Sequence, residues 1–80
     1  RPTASGVWIV DPPRTGLSRD ARGRVAAVGP PRLVYVSCDV ATLARDLGTL
    51  TAAGYALRRL DGFDLFPNTA HIELVATLER

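Results

Sequence analysis

The sequence predicts an α/β fold, a mostly parallel sheet that finishes in an antiparallel hairpin. Three observations predict it. Short apolar runs alternate with stretches whose apolar residues recur at helical spacing, in the order strand, helix, strand, helix, strand, strand. The first run closes on Asp11-Pro12-Pro13, and neither proline can donate to a ladder. The connection between the last two strands is too short for a crossover helix, so those two strands pair antiparallel. The first three strands are expected to lie parallel, joined by right-handed crossovers.

Val7 to Val10 is continuously apolar and reads as a strand buried on both faces. Arg14 to Leu17 is a loop. Ser18 caps a short helix to about Val28, with Val25 and Val28 on its apolar side and Gly29-Pro30-Pro31 stopping it. Leu33 to Val36 is the second strand. Asp39 caps the second helix, where Leu43, Leu47 and Leu50 form a stripe that Ala44 and Ala53 widen. Gly54 ends that helix as the residue after its cap. Tyr55 to about Asp64 reads as the third strand, with Gly62 at a bulge or bend. Phe66-Pro67-Asn68-Thr69 turns the chain, and Ile72 to Leu78 is the last strand.

Eighty residues make one domain or a piece of one, and a hydrophobic fraction of 46% is enough for a modest core. No apolar run approaches a membrane span of roughly 20 residues, and no signal-peptide pattern is present, so no membrane partner is expected. A lone cysteine excludes an internal disulfide framework and fits a reducing, cytoplasmic setting. The net charge of +2 is mildly basic and by itself weak evidence for a nucleic-acid partner. All ten basic residues are Arg, which suits bidentate phosphate contacts but equally suits a GC-rich genome, given the many Ala, Gly and Pro. Only six residues precede the first strand, with no start methionine, so the chain reads as the C-terminal part of a longer protein. The Val7–Val10 edge is apolar and carries no charge, and the isolated chain is expected to dimerise or swap through it.

Ligands of an open parallel sheet bind beyond the carboxyl ends of its strands. Asp11 and Cys38 both stand at such ends. The last strand runs the other way, so its start, with Glu73, lies at the same edge. Topology can therefore gather an acid, a thiol and a second carboxylate in one crevice. Each residue has a plainer reading: Cys38 as a small buried hydrophobe, Asp11 as the cap of the next turn, Glu73 as a solvated edge residue. His71 and Glu73 are two apart, but no third metal ligand follows with convincing spacing, and no metal is expected. Cys38 precedes a helix N-terminus, which favours a thiolate, while the charge of Asp39 opposes it.

Four segments carry a resemblance: Asp11-Pro12-Pro13-Arg14-Thr15-Gly16-Leu17, Tyr35-Val36-Ser37-Cys38-Asp39, Thr42-Leu43-Ala44-Arg45-Asp46-Leu47, and Asp64-Leu65-Phe66-Pro67-Asn68-Thr69-Ala70-His71-Ile72-Glu73. In this order and spacing the chain resembles the RNA 5-methyluridine methyltransferase family, over nearly its whole length. The resemblance implies the C-terminal half of a Rossmann-like S-adenosyl-L-methionine-dependent catalytic domain, acting on uridine C5 in tRNA or ribosomal RNA. It implies that Cys38 is the nucleophile that adds to uracil C6, and that Glu73 is the base that removes the C5 proton. Asp11 is implied to contact the cofactor and the base pocket, and Arg14 either an RNA phosphate or its own loop. The family usually has Asn-Pro after the cysteine, where this chain has Asp39-Val40. Asp caps a helix about as well as Asn; its added charge could alter the thiol or the base contacts. The family's glycine-rich cofactor loop and RNA-binding domain are expected upstream, so residues 1–80 alone are expected not to methylate.

Two other classes of reading compete, a different methyltransferase and a non-enzyme. Asp-Pro-Pro is also similar to the motif of amino-methylating enzymes, which follow it with an aromatic residue where this chain has Arg14. RNA 5-methylcytidine enzymes use thiols but carry Pro-Cys in place of Pro12-Pro13. A non-catalytic α/β module that binds RNA or a partner would tolerate loss of Cys38 and Glu73.

Overall fold

A computed structural model describes residues 6–63 and 72–80. The apolar runs and helical stripes resolve into β1 (Val7–Val10), α1 (Arg19–Val28), β2 (Arg32–Ser37), α2 (Val40–Ala52), β3 (Ala56–Phe63) and β4 (Glu73–Glu79). Both helices start where a side chain can satisfy an orphan N–H. Ser18 Oγ accepts from the Ala21 amide at 3.1 Å, and Asp39 Oδ1 accepts from the Thr42 amide at 2.9 Å. Each such cap stabilises by about 1 kcal/mol. Gly54 takes φ of 107° just past α2, a conformation that favours glycine. The Phe66–Thr69 turn and His71 lie outside the described residues.

The four strands form one sheet in the order β1-β2-β4-β3. β1 pairs parallel with β2, Val10 level with Tyr35. β4 runs antiparallel between β2 and β3, Ala76 level with Tyr35 on one side and Leu60 on the other. Strands β1, β2 and β3 therefore point the same way, and β3 with β4 makes the expected antiparallel pair. The sheet is nonetheless not mostly parallel. Because β4 occupies the place beside β2, only one of the three pairings among the described strands is parallel.

One face of the sheet presents Leu33, Tyr35, Ala76 and Leu78, each at 0% exposure, and these pack with Val25 of α1 and Leu43 and Leu50 of α2. Burying a side chain of this size is worth roughly 1.5–3 kcal/mol. Burial alternates along β2, which follows from having a core on one face only.

Several expectations change with this arrangement. β1 is not buried on both faces: it is an edge strand, with Val7 and Ile9 exposed at 49% and 72%. Val28 is exposed, because the α1 contact face is Val25 with the half-buried Ala21 and Arg22. Ala44 faces outward, and the buried α2 residues are Leu43, Asp46 and Leu50. The bulge in β3 falls at Arg58, between the Leu57–Leu78 and Arg59–Thr77 pairs, whereas Gly62 pairs regularly with Leu74. On this second edge the extra residue is accommodated beside solvent, and Arg58, Arg59 and Asp61 supply the charge that β1 lacks.

Arg80 closes the far end of the helix layer. Its guanidinium donates to the carbonyls of Ala26 at 2.7 Å, Gly29 at 3.0 Å and Ala53 at 3.4 Å, so it reaches both helix C-termini. It also stacks 4.4 Å over the Tyr55 ring, whose hydroxyl donates to the Pro30 carbonyl. Replacing Arg80 by Ala should cost about 2 kcal/mol, the range for hydrogen bonds to a charged group. Urea unfolding of the two proteins measures it, and an unchanged midpoint would refute the capping role.

Candidate active site

The carboxyl ends of β1 and β2 and the start of β4 meet at one edge of the sheet. Asp11 follows β1 directly. Cys38 follows β2, and Glu73 is the first residue of β4. The last β2–β4 pair is Ser37 with Leu74, so Cys38 and Glu73 are the next residues on either side where that ladder ends. Asp11 continues a strand paired to β2 from the other side, with backbones about 5 Å apart. The acid, the thiol and the second carboxylate thus share one edge, as the order of elements predicts.

Local bonding explains how Cys38 is presented. Ser37 points into the core at 5% exposure. Its Oγ accepts from the Asp39 amide at 3.0 Å and donates to the Asp39 carbonyl at 2.9 Å. Ser37 and Asp39 thereby close a tight turn around Cys38, and the thiol is exposed. The reading of Cys38 as a buried hydrophobe is overturned. Asp39 completes the turn as the α2 cap, and the Thr42 N–H foremost holds its carboxyl below the usual range.

Asp11 is exposed, with no hydrogen bond or ion pair among the described residues, so it does not cap the next turn there. Glu73 is half-buried on β4, opposite Phe63. The Arg14 side chain is exposed, and its charge helps to hold the Asp39 carboxyl down. Its loop is braced through its backbone instead, since Thr42 Oγ1 donates to the Arg14 carbonyl at 3.0 Å.

The residue that sequence reasoning missed is Asp46. It is fully buried on the inner face of α2. Oδ2 accepts from the Leu17 amide at 2.9 Å and from the Tyr35 hydroxyl. Oδ1 accepts from Arg45 Nη2 at 2.9 Å and from Arg22 Nη1 at 3.3 Å. Arg45 Nη2 reaches on to the carbonyls of Thr15 and Leu17, at 3.0 and 3.2 Å. A signal was present: Asp46 lies three residues after Leu43 and four before Leu50, at a stripe position where an acid has no place unless it is paired.

Gly16 shows how closely the loop is seated. Its φ is 84°, and a Cβ there would collide with the Thr42 methyl and come within 2.7 Å of Asp46 Oδ2. Only glycine satisfies both the backbone and the space.

Burial alone would raise the Asp46 carboxyl, but the four donors outweigh it, and Asp46 is held below the usual range. Burial, then the bond to Asp46, pushes the Tyr35 phenol up. Stability should therefore fall on both pH flanks. Unfolded Asp46 binds a proton before folded Asp46 does. Its contribution is complete above about pH 4 and lost as pH falls through the lower folded value. The Tyr35 contribution is complete below about pH 10 and lost as pH rises towards the raised folded value. Asp46→Asn should flatten the acid flank and lower the neutral plateau by about 3 kcal/mol, since it leaves two arginines short of a counter-charge. Urea unfolding from about pH 3 to about pH 11 measures both effects; an acid flank identical in Asp46→Asn would refute the assignment.

A family model described as tRNA (uracil-5-)-methyltransferase matches residues 4–80. An uncharacterised RNA methyltransferase of Streptomyces coelicolor is 51% identical over 71 residues, covering 89% of this chain and 16% of the relative. One from Thermotoga maritima is 47% identical over 72 residues, covering 90% and 16%. Among solved structures, the tRNA (uracil-54, C5)-methyltransferase of Pyrococcus abyssi, in complex with S-adenosyl-L-homocysteine, superposes with a TM-score of 0.82 at 40% identity. It covers 98% of this chain and 20% of the other. The chain thus spans about a sixth of the length of these two curated relatives, 16% of each.

Proposed function

The chain belongs to the tRNA (uracil-5-)-methyltransferase family, and from that membership we propose that it carries the catalytic end of an enzyme that methylates uridine C5 in tRNA or ribosomal RNA. The observation that carries this reading is that an exposed Cys38 at the head of α2 and Glu73 at the start of β4 flank the same end of the β2–β4 ladder. A thiol and a base at one edge are what addition to a pyrimidine and removal of its C5 proton require.

S-adenosyl-L-methionine, when bound, supplies an electrophilic methyl group. Asp11 is the described residue that fits it: an exposed carboxylate without a protein partner among the described residues, at the carboxyl end of a strand, able to accept from an amino, hydroxyl or imide group. In this proposal the Cys38 thiolate forms a bond to uracil C6, and the C5=C6 electron pair moves onto C5, which becomes nucleophilic. Once C5 carries the methyl group, Glu73 takes the C5 proton. The C–H electron pair re-forms C5=C6, and the bond from Sγ to C6 breaks, returning the thiolate. Uridine has then exchanged one hydrogen for a methyl group, and the proton has left through Glu73. The Asp39 cap serves the usual Asn position with its helix bond intact. Residues 1–80 alone are proposed to be incompetent, since they hold no glycine-rich cofactor loop; turnover by the purified segment would refute this.

The test is covalent trapping with the intact polypeptide that carries this segment. Fluorine at C5 leaves Glu73 no proton to remove, so 5-fluorouridine-substituted RNA with S-adenosyl-L-methionine should yield a denaturation-resistant adduct that Cys38→Ala abolishes. Glu73→Gln should accumulate the adduct even on unmodified RNA and slow turnover by about a hundredfold or more. No adduct on tRNA or ribosomal RNA, from a folded protein that binds the cofactor, would turn the reading towards another methyl acceptor.

The isolated segment is further proposed to dimerise through the β1 edge, whose apolar Val7 and Ile9 are uncovered. Light scattering should report a dimer at high concentration, and Ile9→Lys should return it to monomer. A monomeric parent segment at all concentrations would remove the proposal.

A further inference from the structure

We propose that Thr42, Arg45 and Asp46 are positioning residues that set the Asp11 loop against Cys38. The inference rests on the reading of Cys38 as the nucleophile. Asp11 and Cys38 belong to different segments, and the sheet holds them together weakly. Among the described residues β1 offers four register pairs and is bonded on one side only. Beyond Val10 the chain leaves the ladder, and the loop has a single internal backbone bond, from the Gly16 amide to the Pro13 carbonyl at 2.7 Å.

What holds the loop is the face of α2 just below its N-terminus. Thr42, Arg45 and Asp46 stand at positions i, i+3 and i+4, which share one side of a helix. Between them they bond the Arg14, Thr15 and Leu17 carbonyls and the Leu17 amide. Gly16 is pressed among all three side chains. The helix that carries Cys38 at its head thus grips, one turn further on, the loop that carries Asp11 at its start. An apolar contact of equal strength would let the two slide. A saturated set of directional bonds admits one geometry, and misplacing reacting groups by about 1 Å costs about a hundredfold in rate. The polarity of this seam is therefore matched to precision of placement.

The test uses the intact polypeptide with S-adenosyl-L-methionine and 5-fluorouridine RNA. Thr42→Val keeps the helix, its N–H to Asp39 and the Asp46 cluster, and loses one bond to the loop. It should leave the unfolding midpoint unchanged and RNA affinity within about twofold, and slow single-turnover adduct formation about tenfold. Thr42→Ser, which restores the hydroxyl, should recover the rate. Asp46→Asn should slow the adduct about a hundredfold. In that variant exchange of the Leu17 amide should quicken by more than the rise that lower stability gives the Leu33 and Tyr35 amides. An unaltered adduct rate in Thr42→Val, or a loss that Thr42→Ser does not recover, overturns the positioning role while Cys38 remains the nucleophile. A wild type that forms no adduct on any RNA overturns the proposed function and this role with it.

Discussion

The buried carboxylate of Asp46 is the constraint around which the rest of the molecule is arranged. A lone charge at this depth would cost several kcal/mol, so it persists only because every nearby element supplies a donor. The strand β2 supplies a hydroxyl, α1 a guanidinium, α2 a second guanidinium, and the loop between β1 and α1 a backbone N–H. Three segments distant in sequence are thereby tied to two oxygen atoms on α2. Hydrophobic burial accounts for the core's existence. It does not account for the angle at which the loop leaves the sheet, which this polar knot and the cramped Gly16 decide together.

The sheet is unequal between its faces and between its edges. Both helices contribute to the core on the face of Leu33 and Tyr35. The opposite face leaves Val7 and Ile9 uncovered, with Val34, Val36 and Val75 half-buried. The β3 edge carries a bulge and charged residues, with Arg59 paired to Asp61 at 2.8 Å, whereas the β1 edge carries neither. One edge is built to meet water and the other is not, a difference that follows from side-chain chemistry alone.

Much of this was legible in the sequence, and the reasons are local. Ser18 and Asp39 announced helix starts because a cap involves a side chain and an amide three residues away. The shared edge of Asp11, Cys38 and Glu73 followed from element order and chain direction. What stayed hidden depends on partners far along the chain. The place of β4 between β2 and β3 is a choice among pairings that the same apolar runs would permit. The bulge at Arg58 reflects register against β4, and Gly62 drew attention only by its residue type. Asp46 was overshadowed by Leu47 beside it. Its meaning depends on Leu17 and Tyr35, 29 and 11 residues away. The exposure of Cys38 was a matter of which way one turn faces, and the two bonds between Ser37 and Asp39 decided it.

The strand order has a consequence for when the fold can exist. β4 comes after the other three described strands in sequence but lies inside the sheet, and without it β2 and β3 share no ladder. A nascent chain can form β1, α1, β2 and α2 in turn, yet one side of β2 must wait until residues 73–79 have been synthesised. Arg80, which follows at once, then reaches both helix ends. This sheet therefore closes from residues 73–79, and the edge of β2 that lines the proposed site stays an open template until they have been synthesised. A ribosome pausing within the last strand would leave that edge exposed for as long as the pause lasts.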